Sequence, residues 1–124
     1  MERILLSRDK GVPSIEVEIR NARWVCYQVS IRSPSGDASK TIASRVTTED
    51  RKDEYSLEFA PSCLDGWSLS WEVYLQTYDP RPGQTFLVSV GVKQDGEPCA
   101  ATSEYRGEID RPRFLTDRVQ FSLA

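Results

Sequence analysis

The sequence predicts an antiparallel β-sandwich of about eight or nine strands, with a small closed β-barrel as the alternative. Three observations lead there. Apolar residues recur at every second position in run after run, breaker-rich segments separate the runs, and no segment carries a sustained 3.6-residue apolar period. Alternation of this kind also implies that each sheet buries one face and leaves the other in water.

The runs can be taken in chain order. Residues 14–20, SIEVEIR, set Ile15, Val17 and Ile19 against Glu16, Glu18 and Arg20. In residues 23–32, RWVCYQVSIR, Val25, Tyr27, Val29 and Ile31 form one face, and Trp24, Cys26, Gln28 and Ser30 the other. Residues 54–60, EYSLEFA, turn Tyr55, Leu57 and Phe59 inward. Residues 66–76, GWSLSWEVYLQ, put Trp67, Leu69, Trp71, Val73 and Leu75 on one side, with Ser68, Ser70, Glu72, Tyr74 and Gln76 opposite. Residues 84–93 alternate Phe86, Val88, Val90 and Val92 with Leu87, Ser89, Gly91 and Lys93, and Val119, Phe121 and Leu123 close the chain in the same way. Weaker runs lie at 3–8, 40–47 and 99–106.

The breakers fall at 33–39, 47–54, 60–66, 79–84, 94–98 and 110–117. TTEDRKDE, at 47–54, reads as a loop or one short helical turn capped by Thr47 or Thr48. Asp95-Gly96 is a two-residue hairpin turn, which pairs residues 88–94 with a strand after Pro98.

A length of 124 residues suits one domain spanning 1–124 with a single core. The net charge is −3 and the pI near 5.0, with the arginines scattered singly. Nucleic acid is therefore not an expected partner, since binders of it concentrate basic charge in a stripe or patch. No run is long enough for a membrane span. Ile4, Leu5 and Leu6 are too few for a signal-peptide core, so the expected compartment is the cytoplasm. Cys26, Cys63 and Cys99 are odd in number and contain no Cys-x-x-Cys pair, which reads as free thiols. Their near-equal spacing marks no repeat, because the segments after them are unalike.

The sequence contains no histidine. That removes nucleophile systems built on an imidazole base, and the commonest catalytic zinc sites. No glycine-rich phosphate loop is present. A carboxylate pair such as Glu16 with Glu18, or Glu58 with Glu72, is left, but these sit on faces expected to be wet. The acidic residues of the 49–54 loop are interrupted by Arg51 and Lys52, which argues against calcium. The expectation is a chain that is not an enzyme, with no cofactor and no metal.

Trp67 and Trp71 share parity with leucine and valine and belong to the core. Tyr74 and Tyr78 have the opposite parity, with Glu72 and Gln76, and Trp24 falls on the face of Gln28 and Ser30. The expected binding residues are therefore Trp24, Glu72, Tyr74, Gln76 and Tyr78. Rings beside polar side chains on a wet sheet face suit a protein partner or self-association first. A lectin-like glycan site, with a sugar stacked on a ring, is the alternative.

Overall fold

The computed structural model describes residues 2–76, 85–99, 103–108 and 111–124. Its strands are β1 (Glu2–Leu6), β2 (Ser14–Arg20), β3 (Val25–Arg32), β4 (Ser39–Thr47), β5 (Arg51–Ser56), β6 (Ser68–Leu75), β7 (Thr85–Gln94), β8 (Glu97–Pro98), β9 (Ser103–Glu108) and β10 (Arg113–Leu123). A single 3-10 turn, Pro61–Cys63, interrupts them, and no helix among the described residues is long and apolar enough to cross a membrane.

The first sheet runs β1-β10-β6-β3-β4 and the second β5-β2-β7, with β8 and β9 both on the free side of β7. Among the described residues the one parallel pairing is β1 with β10. The sheets pack face to face and, among the described residues, do not close into a barrel, so the sandwich holds and the barrel alternative falls.

Period-two alternation sorts the side chains as read. From the first sheet Val25, Tyr27, Val29, Ile31, Leu69, Trp71, Val73 and Leu75 point inward, each no more than 2% exposed. Ile15, Val17, Ile19, Phe86, Val88, Val90 and Val92 meet them from the second sheet, and Leu57 and Leu64 plug the connections. Trp67 is only half-buried; it stacks on Phe59 at 5.9 Å between centroids, at the rim of the core. Trp71 is fully inside, and its indole N–H donates to the Tyr105 hydroxyl at 3.2 Å.

The Asp95-Gly96 turn forms as expected, with both residues at positive φ and Gln94 opposite Glu97. The buried Gln94 then ties the N-terminal connection to β7. Its amide donates to the Ser7 and Gly11 carbonyls, at 3.0 and 3.2 Å, and its oxygen accepts from Ser7 N–H at 2.9 Å.

Two segments expected to break structure are strands instead. Residues 51–53, expected in a loop or helical turn, open β5, which takes in only 54–56 of the strand expected over 54–60; the charges fit because β5 is a sheet edge where charged side chains reach water. The lysine of this strand, Lys52, lies 3.6 Å from Glu16 on β2, which Lys93 on β7 also holds at 2.7 Å. Residues 113–118 extend β10 six places ahead of its apolar run. Alternation hid this because Phe114 points out and the inward parity falls on Asp117, which is exposed.

The register gives a sharp expectation. Leu69→Ala, at a fully buried site on β6, should lower the unfolding free energy by about 2–5 kcal/mol in a urea titration. Glu72→Lys, exposed on the same strand, should stay within about 0.5 kcal/mol of the parent.

Candidate functional site

The outer face of the first sheet is a grid of cross-strand rows. β6 lies in its middle, so every outward residue of β6 has one neighbour on β10 and one on β3. The first row runs Phe114–Tyr74–Cys26–Val46, from β10 to β4. Phe114 is 61% exposed, Val46 58% and Tyr74 38%, so an apolar stripe lies open across four strands. Directly opposed side chains stand about 5 Å apart at Cβ, close enough for the stripe to act as one surface. The second row is polar, Thr116–Glu72–Gln28–Ser44. Between the two rows lies a shallow depression of about 190 Å³, whose lining includes Tyr74, Phe114, Cys26, Gln28 and Glu72.

Three of the five residues expected from sequence, Glu72, Tyr74 and Gln76, share this face by parity. Glu72, Tyr74 and Gln76 follow one another at alternate positions on β6 and its end, beside Gln28 and Cys26 on β3. Trp24 is half-buried one step before β3, and its carbonyl accepts from Gln76 N–H at 3.0 Å. Tyr78 lies outside the described residues. Phe114 and Val46, the most exposed members of the stripe, were missed. Phe114 sits in a segment read as a turn, and Val46 is an isolated valine in a polar edge strand, whose only sequence signal was its period-two offset from Ser44.

A polar lock lies beneath the stripe. Tyr27, between Cys26 and Gln28, points inward and meets Asp53 and Tyr55 of the edge strand β5. Its hydroxyl donates to Asp53 Oδ2 at 2.9 Å and is hydrogen-bonded to the Tyr55 hydroxyl. Arg51 reaches the same carboxylate through Nε and Nη2, at 3.2 to 3.3 Å, and Arg45 Nε of β4 stands 3.9 Å away. The lock thus joins β3 and β4 of one sheet to β5 of the other. Burial, followed by the hydrogen bonds to Tyr55 and Asp53, pushes the Tyr27 hydroxyl well above the ordinary tyrosine range. Burial also works to raise Asp53, but hydrogen bonds from Arg51 and Tyr27 and the charges of Arg51 and Arg45 outweigh it and hold the carboxyl below its ordinary value.

Other candidates take definite places. Glu16 is held by two lysines, Glu18 by Arg20 at 3.1 Å, and Glu58 by Lys40. All three cysteines are free: Cys26 in the stripe, Cys63 in the 3-10 turn and Cys99 after β8. Among the described residues no group of three or more carboxylate and thiol side chains is arranged to hold a metal ion. No family model, curated protein or solved structure matches this chain.

The lock makes stability depend on pH at both ends. The folded Asp53 binds its proton less tightly than the unfolded one, so its contribution is complete above about pH 5 and drains as the pH falls further. Folded Tyr27 holds its proton more tightly, so its contribution is present below an ordinary tyrosine pKa of about 10 and drains above it. Thermal melts across pH should show both losses. Asp53→Asn should flatten the acid limb, and tyrosinate absorbance should report one tyrosine that ionises only as the protein unfolds.

Proposed function

We propose that the chain is a non-catalytic binding module that engages a protein surface, that of another protein or of a second copy, through the outer face of its first sheet. The observation that carries this reading is the row Phe114–Tyr74–Cys26–Val46, where large apolar side chains are contiguous and exposed on a rigid sheet. Exposed apolar residues scattered singly are ordinary; a contiguous stripe bounded by a polar row has the make-up of an interface centre and rim. Aromatic anchors near the middle of such a surface carry most of the binding free energy. The lack of histidine supports a non-catalytic role.

A glycan is the second reading. The depression between the rows has the volume of a single small group, and it sets the Tyr74 and Phe114 rings beside Glu72 and Gln28. A sugar ring needs that pairing of an apolar platform with hydrogen-bonding neighbours. Binding of one ring would be weak, and useful retention would come from several copies acting together.

Tyr74→Ala and Phe114→Asp separate the readings, since both positions are exposed and both variants should keep the parent circular dichroism spectrum. For a self-associating module, sedimentation should show the dimer dissociation constant rising about thirtyfold or more, the loss of one aromatic anchor worth about 2 kcal/mol. For a glycan module, the protein should stay monomeric while the variants lose retention on a glycan array. A parent that is monomeric and glycan-silent, and whose capture of any partner protein survives both substitutions, would reject the stripe as the site.

A further inference from the structure

The same sheet face changes character beyond the Glu72 row. The third row is Arg118–Ser70–Ser30–Thr41 and the fourth Arg3–Gln120–Ser68–Arg32–Ser39, five strands wide. A β-bulge in the β3–β4 pairing, between Val29 and Ser30, resets β4 so that a hydroxyl residue, Thr41, again faces outward beside Ser30. Arg32 and Arg118 line one depression of about 300 Å³ together with Ser30, Ser39, Ser68 and Ser70. A second depression of about 250 Å³ adjoins it over Arg32, Ser68 and Arg118, and ends on the Ser33 to Gly36 turn.

The donors here are uncommitted. Arg20, Arg45, Arg51 and Arg106 each have a carboxylate within ion-pair distance. Among the described residues the guanidinium groups of Arg32 and Arg118 have no such partner, and the hydroxyls of Ser30, Ser39, Ser68 and Ser70 have no side-chain hydrogen bond. No carboxylate is among the described residues lining either depression. The acids of the flanking strands, Glu2 on β1 and Asp117 on β10, have the opposite parity, since Glu2 is two residues from the buried Ile4 and Asp117 two from the buried Val119. In a chain of net charge −3, this is a local patch of positive charge and hydroxyl donors with no acid on it.

We propose that Arg32 and Arg118, over the serine floor of β6 and β3, form a binding site for a tetrahedral oxyanion, a phosphate or sulfate group. Guanidinium groups supply planar, permanently charged pairs of N–H donors that match such oxygens, and serine hydroxyls turn to fill the remaining acceptors. The two arginines approach from opposite sides of β6, so one anion between them is held from both flanks. Arg3, paired with Gln120 at the β1 edge, adds positive charge outside the pair. The site uses none of the stripe residues and stands or falls independently of the reading above.

Amide chemical shifts of the full chain, titrated with inorganic phosphate at constant ionic strength in chloride, test the site. The expected shifts cluster on Ser30, Arg32, Ser68, Ser70 and Arg118. Arg32→Gln and Arg118→Gln should each weaken binding about tenfold or more, the scale for one hydrogen bond to a charged group. Tyr74→Ala should change neither shifts nor affinity. Glucose 6-phosphate and glucose 6-sulfate binding more tightly than inorganic phosphate would assign an ester on a small molecule. Retention on phosphatidic acid vesicles but not on phosphatidylcholine vesicles would assign a lipid headgroup. Both outcomes support the oxyanion site. Shifts that chloride reproduces at equal ionic strength, or that survive loss of both arginines, would overturn it.

Discussion

The position of β6 in the middle of its sheet is the constraint on which the rest of the structure depends. A strand with neighbours on both sides exposes no backbone edge, so its identity is carried entirely by its two faces. One residue of slip would carry Leu69, Trp71 and Val73 into water and bury Glu72 and Tyr74. That exchange costs the transfer of several large apolar side chains and adds an unpaired carboxylate to the core. The register of β6 against β3 and β10 is thereby fixed, and every row of the outer face follows from it. The apolar stripe and the serine floor are two consequences of one alternation.

The second constraint acts between the sheets. β4 and β5 are edge strands of opposite sheets, and they carry few large apolar side chains with which to hold the sandwich shut. The chain closes this side with Tyr27, Asp53, Tyr55 and Arg51. A half-buried carboxylate is costly unless hydrogen-bonded and paired, and Asp53 is both. The raised Tyr27 and lowered Asp53 protonation equilibria tie this closure to pH, unlike the aliphatic packing under β6 and β7. It also lies directly below Cys26 and Gln28, so the polar row and the stripe rest on a fixed base.

How much of this was legible in the sequence follows from which strands are central. β2, β3, β6 and β7 are flanked on both sides, their inward residues are aliphatic or aromatic, and alternation places them correctly. The first half of β5 and the first half of β10 were unreadable by that signal. RKDEYS alternates charges with charges, and RFLTD puts its largest apolar residue outward. β5 is an edge strand, and β1 pairs only with Val119–Leu123 of β10, so both stretches leave one side to water and their composition is free to look like a loop. The candidate site divides along the same line. Trp24, Glu72, Tyr74 and Gln76 lie on or beside the central strands and were placed on one face. Phe114, Val46 and Arg118 come from strands whose faces the sequence does not declare, and only the register brings them beside the others.

Geometry limits how the two halves of the face can work together. Tyr74 and Ser70 are four residues apart on β6, which at about 3.3 Å per residue puts the stripe and the third row about 13 Å apart. A single sugar ring or a single anion cannot touch both. A ligand that engages both must be extended, apolar or ring-bearing at one end and anionic at the other, and it must cross the Glu72 row between them. Glu72 then becomes a discriminating group, since an anionic segment laid across it is repelled and a hydroxyl or amide is accepted. Order along the sheet would thus set the orientation of the ligand, with ring and anion unable to exchange places. The fixed register of β6 makes that order a property of the scaffold, set before any partner arrives.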